Sequence, residues 1–223
     1  MMQRILDIII SATSLLLLLP LLVVVISILW FTGEKEVFYR QMRVGRSGNI
    51  FPLLKFATML KDSPKIGSGE LTLLDDPRVL PFGRVLRKSK INELPQLVNV
   101  LLGQMSIVGP RPMVPNTFTQ YPANAQEKIV SVRPGLTGIG SIIFRDEEKF
   151  LARKEDPAYF YRNSIIPYKS KLELWFVNNN RIGTYLKIIF VTAIVIIKPN
   201  FNGTKAIFSN LPGSPDELME NLG

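Results

Sequence analysis

The longest uncharged segment of the chain is the strongest constraint on its fold. No formally charged residue occurs from Ile8 through Gly33, a stretch that reads IIISATSLLLLLPLLVVVISILWFTG. A helix needs about 20 apolar residues to cross a bilayer, so this segment is long enough to span. It is longer than the apolar part of a cleaved signal peptide, and no small-residue cleavage site follows it. The sequence therefore predicts a membrane helix over residues 1–33.

Pro20 lies in the middle of this segment, where a proline removes one backbone hydrogen bond and kinks a helix. Arg4 precedes the segment, and the positive-inside rule places basic flanks in the cytosol. A re-entrant kinked helix keeps both flanks on the cytosolic side. A straight span has to translocate Arg4 across the membrane. The residues alone do not decide between these two topologies. Asp7 is expected to pair with Arg4 at helical spacing. The basic residues that follow the segment are Lys35, Arg40, Arg43 and Arg46.

The residue types that are missing exclude several chemistries. The 223 residues contain no cysteine and no histidine, so disulfides, Cys/His zinc sites and Ser-His-Asp triads cannot form. Catalysis has to use carboxylates, Lys, Arg, Tyr or hydroxyls, and a metal would be a hard cation such as Mg²⁺. The net charge of +9 favours anionic partners. Nucleic acid is a poor candidate, because neither a groove-reading helix nor an aromatic RNA platform is recognisable.

The rest of the chain is typical of an α/β domain that is mainly helical with a small β-hairpin. Alternation over residues 37–59 predicts the hairpin, closed near Ser47 and Gly48. Residues 61–76 are expected to form a mobile loop, and residues 82–87 a short basic helix. The segment 146–156 is charged and typical of a solvated helix face. Residues 185–197 are apolar but too short to span, so they form either an interfacial or a buried core helix, and we favour the interfacial one.

A second helix is predicted to start at Asn92, with Asn92 as its N-cap and Pro95 in its first turn. Gly103 is expected to end it. Two Pro/Gly segments, 108–112 and 132–138, are predicted to be rigid loops that carry Arg111 and Arg133. Three units result, a membrane helix over 1–33, a cytosolic domain over 34–200 and a loose tail over 201–223. The predicted apolar face of the helix consists of Leu94, Leu97, Val98 and Leu101.

Phosphate chemistry is indicated where a basic stretch meets this helix start. A helix N-terminus attracts anions, and Glu93 there could hold Mg²⁺, which would in turn hold a diphosphate. The alternative is a capped amphipathic helix with a solvated basic face. Arg111 and Arg133 sit on stiff loops that suit bidentate phosphate contacts, although each could instead tie its loop to a carboxylate. The basic stretch contains Arg84, Arg87, Lys88 and Lys90.

A linked set of motifs resembles the bacterial sugar transferase family, the monotopic phosphoglycosyl transferases. The motifs are KINELPQLVNVLLGQMSIVGPRP, with KFATM upstream and VRPGLTG downstream, and the resemblance extends to about Gly140. It implies a re-entrant helix broken at Pro20 and a small catalytic domain on the cytosolic face of the bacterial inner membrane. It also implies Mg²⁺-dependent transfer of a sugar 1-phosphate from a UDP-sugar to undecaprenyl phosphate, with release of UMP. The implied phosphate-binding residues are Lys55, Arg87, Arg111 and Arg133, with Glu93 as the metal ligand.

The sequence departs from the family where family members carry an Asp-Glu pair whose Asp attacks the diphosphate. The Asp position is Asn92 here, and a neutral carboxamide is a poor nucleophile. Three hypotheses follow. Either Glu93 or the lipid phosphate attacks instead, which we favour, or the chain is an inactive membrane-interface scaffold or binding protein, or Asn92 is an introduced change. The residues give no oligomeric state and no sugar identity. Further departures are Leu19 for Ser, Ala57 for a basic residue and Gln104 for Asp.

Overall fold

The computed structural model describes residues 1–32, 34–63, 76–145, 147, 151–198, 201, 203–208 and 210–215. Most of the predicted loop over 61–76 and much of the charged segment over 146–156 lie outside the described residues. The described part is mostly helical, as the sequence predicts, with two small sheets, of which the sequence predicts one.

Helix α1 (Met2–Thr32) begins the chain and contains Pro20. Among the described residues it is the one helix long and apolar enough to cross a membrane. Its N-terminal half packs on the main core through Leu6, Ile10 and Leu15. Its C-terminal half packs through Val25 and Leu29 on a second apolar cluster of the same domain. Both ends of α1 therefore contact the domain, while the kink at Pro20 and the re-entrant path stay predictions.

The predicted pair between Arg4 and Asp7 is wrong. Arg4 donates from its guanidinium to the main-chain oxygens of Val100 and Leu101, at the C-terminal end of the helix over Gln96–Leu101. The last carbonyls of a helix have no partner within that helix and attract a cation. Asp7 is 1% exposed and accepts hydrogen bonds elsewhere, as described next.

The Asp7 carboxylate joins α1 to two other elements. Its Oδ1 accepts from Ser106 Oγ at 2.9 Å, from the Ile107 main-chain N–H at 2.8 Å and from the Tyr185 hydroxyl at 2.8 Å. A carboxylate buried in this way is tolerable only when donors replace its water. The three bonds fix the start of α1 against the domain core.

The predicted hairpin is confirmed. Strands β1 (Phe38–Val44) and β2 (Ile50–Phe56) pair antiparallel, and a 3-10 turn over Arg46–Gly48 joins them. Ser47 and Gly48 have positive φ values of 59° and 76°, as a tight reversal requires. Strand β2 buries Phe51 and Leu53 on one face and Phe56 on the other, and Lys55 lies directly opposite Tyr39.

Helix α2 (Pro81–Lys88) confirms the predicted basic helix, and α3 (Gln96–Leu101) follows after a 3-10 turn over Ile91–Glu93. Asn92 lies in that turn, so its predicted role as N-cap is wrong. An N-cap side chain at Asn92 would accept from the main-chain N–H of residue 94 or 95, but Pro95 has no N–H. The Leu94 N–H instead bonds the Ile91 oxygen at 3.1 Å with 3-10 spacing.

The rest of α3 agrees with prediction in part. Gly103 ends the helix as expected, with a φ of 79°. The buried face of α3 differs from the predicted one. Leu97 and Val100 are buried, whereas Val98 is 36% exposed. The predicted apolar face over Leu94, Leu97, Val98 and Leu101 is therefore wrong at Val98.

The predicted loop 132–138 contains a short strand, and another short strand ends at Val108, where the predicted loop 108–112 begins. Strands β3 (Ser106–Val108) and β4 (Gly135–Thr137) pair in parallel. A Cβ on Gly135 would lie 2.0 Å from the Gly109 nitrogen, so the two backbones approach too closely for any other residue. This contact brings the loop after β3 against β4. The intervening and following helices are α4 (Pro115–Phe118), α5 (Ala123–Ile129) and α6 (Ile139–Ile143).

The C-terminal part supplies much of the core. Helices α7 (Pro157–Phe160) and α8 (Ile166–Asn178) flank a π-helical turn over Tyr161–Ile165, and α9 (Ile182–Ile197) and α10 (Thr204–Ile207) follow. Helix α9 buries Ile188 and Val191 but exposes Phe190 by 63%. Within the predicted tail, Phe208 is 3% exposed and contacts the Trp175 ring.

Candidate active site

Glu93 is the centre of the candidate site. The 3-10 turn before α3 carries it, and its Oε1 accepts from Nη2 of Arg111 at 3.0 Å. Arg111 comes from the loop that follows β3, held between Pro110 and Pro112. The Glu93 side chain is 17% exposed and that of Arg111 45%, so the pair opens to solvent through the arginine. The predicted proximity of these two residues is observed.

The charge state of Glu93 is set by its cationic neighbours. Burial by itself would raise the pKa of this carboxyl, but the charges of Arg111 and Lys55 outweigh burial and hold the pKa at about 2. Glu93 is thus an anion at any physiological pH. An anionic oxygen in a partly buried position is a suitable ligand for a hard cation.

Lys55 brings strand β2 into the same site. Burial lowers the pKa of its ammonium to about 7, Glu93 opposes this shift, and the charges of Arg43, Arg111 and Arg87 add to it. Arg111, Lys55 and Lys90 therefore act on the Glu93 carboxylate, and Arg43 and Arg87 act on the neighbouring Lys55. Such an excess of positive charge attracts a polyanion, and a bound phosphate would favour the charged form of Lys55.

Arg87 and Arg133 are placed differently. Arg87 on α2 contributes to the field at Lys55, and its Nη1 lies 3.8 Å from the Met59 sulfur. Arg133 donates from Nε to the Gly103 oxygen at 2.9 Å, at the C-terminal end of α3. Glu93 precedes the other end of that six-residue helix, which is roughly 9 Å long. The structure thus gathers Lys55, Arg87, Arg111 and Glu93, and ties Arg133 to a different place.

Asn92 lies beside Glu93 and is 7% exposed. Its Oδ1 is buried and has no hydrogen-bond partner in the part of the chain that the structure describes. Buried polar oxygens nearly always have partners, so an unpaired one next to a charged site is consistent with a ligand that completes it. The carboxamide itself carries no charge and adds nothing to the anionic character of the site.

Sequence reasoning missed a second acidic residue, Glu173. It lies on α8, is 3% exposed, and its Oε1 accepts from the Arg111 main-chain N–H at 3.5 Å. Next to it, Lys169 donates to both oxygens of Glu147, at 2.8 and 2.6 Å. One sequence signal could have revealed it. Glu173 lies within the apolar segment KLELWF of α8, where an acid on a solvated helix face is not expected.

The donor set fits Mg²⁺ only if the substrate shares in binding it. Among the described residues no cluster of three acidic side chains could hold a metal. Mg²⁺ commonly takes one or two protein oxygens and completes its shell with phosphates and water. The Glu93 carboxylate and the unpaired Asn92 Oδ1 are two such oxygens.

The candidate site thus places an ionised carboxylate among cationic side chains, on a mostly helical domain with a long apolar N-terminal helix. The family model described as bacterial sugar transferase matches residues 1–199 of this chain. The chain therefore belongs to the bacterial sugar transferase family.

Three relatives illustrate the family. The exopolysaccharide production protein ExoY of Sinorhizobium fredii is 34% identical over 175 residues, covering 72% of this chain and 77% of that protein. The undecaprenyl-phosphate galactose phosphotransferase of Salmonella typhimurium is 29% identical over 214 residues, covering 88% of this chain and 40% of that protein. The UDP-glucose:undecaprenyl-phosphate glucose-1-phosphate transferase of Klebsiella pneumoniae is 33% identical over 195 residues, covering 85% and 39%. This chain thus spans about two fifths of the length of the last two.

Proposed function

We propose that this protein transfers a sugar 1-phosphate from a UDP-sugar to undecaprenyl phosphate at the cytosolic face of the bacterial inner membrane, with release of UMP. The observation that carries the proposal is the ion pair between Glu93 and Arg111, 3.0 Å long. Lys55 is close enough to act on this pair, and Arg87 is close enough to act on Lys55. Relatives named for this type of reaction support it. The step is the first committed to a membrane lipid in polysaccharide or glycoconjugate synthesis.

The reaction exchanges one phosphoanhydride for another. An oxygen of the lipid phosphate forms a bond to the sugar-bearing phosphorus of the UDP-sugar, and the bond from that phosphorus to the bridging oxygen breaks. UMP leaves with the electron pair. Since both reactants are anions, their approach requires neutralisation, which Arg87 and Arg111 supply as permanent charges and Lys55 supplies in its protonated form.

Glu93 holds Mg²⁺ in this proposal, with Asn92 Oδ1 as a second oxygen donor. When bound, Mg²⁺ would neutralise the diphosphate and stabilise the departing phosphate. Arg111 keeps Glu93 ionised and correctly oriented before the substrate arrives. Arg133 is the weakest of the predicted phosphate ligands, because its guanidinium already bonds the Gly103 oxygen.

Direct attack by the lipid phosphate is the mechanism we favour. The amide of Asn92 is not a nucleophile, and Glu93 is already engaged by Arg111. A carboxylate with a pKa near 2 is also weakly basic, which makes it a poor nucleophile. We therefore expect no phosphosugar intermediate on the protein. Trapping such an adduct on residue 92 or 93 would contradict direct attack.

Membrane association in a re-entrant form is part of the proposal. Leu16 and Leu17 of α1 are 72% and 73% exposed, and Phe190 and Ile197 of α9 are 63% and 77% exposed. Apolar side chains exposed in this number are costly in water. Because both ends of α1 contact one domain, a helix that enters and leaves the same leaflet explains the contacts better than a straight span.

Single cysteines test the topology, since the natural chain has none. Met2→Cys and Arg40→Cys mark the two flanks at exposed positions. A membrane-impermeant maleimide should label both in inside-out vesicles and neither in intact cells with a permeabilised outer membrane. Opposite accessibility of the two cysteines would contradict the re-entrant path and favour a straight span.

The function itself is tested by a UMP-release screen. Purified protein is incubated with undecaprenyl phosphate, Mg²⁺ and each member of a panel of UDP-sugars, and the same panel is run with Asn92→Asp. We expect UMP from at least one sugar nucleotide with the natural chain. If only Asn92→Asp releases UMP while the natural chain still binds UDP-sugar, the natural protein is the membrane-interface binding protein of the alternative hypothesis.

A further inference from the structure

Glu173 is a buried acid that the proposed reaction does not use. It is 3% exposed, and its Oε2 has no hydrogen-bond partner among the described residues. Burial raises the pKa of this carboxyl to about 7. Burying a carboxyl with one oxygen unsatisfied destabilises a protein. The contact that Glu173 makes near the candidate site therefore needs an explanation.

The contact of Glu173 is with the loop that carries Arg111. Its Oε1 accepts from the Arg111 main-chain N–H at 3.5 Å. Both neighbours of Arg111 are prolines, which have no N–H, so Arg111 supplies the only amide donor of the Pro110–Arg111–Pro112 run. Glu173 is thus bonded to the one main-chain donor that these three residues offer.

Two further features direct Glu173 to this loop. Lys169, one helical turn earlier on α8, is already bonded to both oxygens of Glu147. Gly140 approaches from the other side, where a Cβ would lie 2.5 Å from the Glu173 Oε1. The carboxyl is therefore held between α6 and the Arg111 backbone, and any side chain at position 140 would displace it.

We propose that Glu173 is a positioning residue, whose buried carboxyl fixes the backbone of Arg111 so that the guanidinium meets Glu93. The inference rests on the proposed function for its effect on catalysis, but its structural part is independent of the reaction. The Arg111 side chain is 45% exposed and would sample many rotamers if its backbone moved. Fixing the main chain lowers the entropy lost when the guanidinium binds a phosphate.

Three variants and one control test the inference. Glu173→Leu removes the acceptor and Glu173→Gln keeps it without charge. Gly140→Ala should push the carboxyl away from Arg111. Gly183→Ala is the matched control, because Gly183 is also helical but nothing lies within 4 Å of its added Cβ. Thermal unfolding of each purified variant shows that it is folded at the assay temperature.

Hydrogen exchange at the Arg111 amide is the readout that needs no activity. We expect faster exchange in Glu173→Leu and Gly140→Ala, in a peptide spanning residues 108–113, with β1 and α5 unchanged. Glu173→Gln and Gly183→Ala should exchange like the natural chain. Exchange at Arg111 that is unchanged in Glu173→Leu, or that rises equally throughout the domain, would overturn the proposal.

A double-mutant cycle tests the catalytic part. We expect Glu173→Leu to lower kcat/KM for UMP release about ten- to a hundredfold, since small misplacements of a binding group have effects of this size. In an Arg111→Ala background the same change should have no further effect. Additive effects would overturn the positioning role. If exchange at Arg111 responds as expected but the natural chain releases no UMP, the proposed function fails and the positioning role stands.

Discussion

Replacing Asp7 by leucine tests how α1 is attached to the domain. The side chain accepts three hydrogen bonds through one oxygen, and its removal leaves the donors Ser106 Oγ, Ile107 N–H and Tyr185 Oη without that acceptor. The two hydroxyls can rotate toward other partners, whereas the Ile107 N–H is fixed by β3. Asp7→Leu therefore affects a junction of three elements rather than a surface charge.

The magnitude follows from these bonds. A hydrogen bond to a charged group contributes about 1.5–3 kcal/mol, and a buried donor left without a partner costs about 1–3 kcal/mol. The contributions are not additive, and the variant no longer buries a carboxylate, so we expect a net loss of about 3–5 kcal/mol. A chain of this length loses about 2–4 °C in Tm per kcal/mol. The expected fall is therefore at least about 6 °C.

Ser11→Ala is the matched control. Ser11 is 0% exposed and lies one turn further along α1, but its Oγ has no hydrogen-bond partner. Removing an unpaired buried hydroxyl costs little and can stabilise. Both variants are compared with the natural chain by thermal unfolding in the same detergent. If Asp7→Leu lowers Tm no more than Ser11→Ala does, the three bonds do not anchor α1 and the reasoning is refuted.

Three further predictions concern the loops and the site. The Glu173 carboxyl has a pKa of about 7 in the folded chain against an ordinary value of 4.5, so the natural chain loses stability as the pH rises from 5 to 8. Glu173→Gln lacks this loss, and its free energy of unfolding should therefore exceed that of the natural chain by up to about 3 kcal/mol at pH 8. Equal pH dependence of the two proteins in denaturant titrations would contradict this. Gly109→Ala should destabilise by about 1–3 kcal/mol, since its Cβ would lie 2.4 Å from the Arg133 oxygen, whereas Gly183→Ala should not destabilise. Arg111→Lys should lower kcat/KM for UMP release about ten- to a hundredfold, with Arg40→Lys as the exposed control.

The sequence predicted the local elements whose signals lie in neighbouring residues. The hairpin, the basic helix α2 and the glycine that ends α3 all follow from alternation, charge and turn chemistry within a few positions. The N-cap prediction for Asn92 was wrong, although asparagine favours that position. Pro95 offers no N–H for the capping bond, and α3 begins at Gln96.

Contacts between distant residues could not be predicted in this way. Asp7 and Tyr185 are separated by 178 positions, and Arg111 and Glu173 by 62, so no local pattern relates them. The grouping of Glu93 with Arg111 was predicted through the resemblance, and the geometry agrees. Arg133 was grouped with them on the same ground, but a hydrogen bond to Gly103 holds it at the far end of α3.

Transfer of labelled phosphate to the lipid tests the central claim most directly. A UDP-sugar that carries radiolabel in its sugar-bearing phosphate is incubated with undecaprenyl phosphate and Mg²⁺, and the organic-soluble label is counted. The natural chain and Glu127→Gln, an exposed control, should transfer label equally. Glu93→Gln should transfer at least about a hundredfold less, because the site loses the charge that organises the diphosphate. Full transfer by Glu93→Gln would contradict the account.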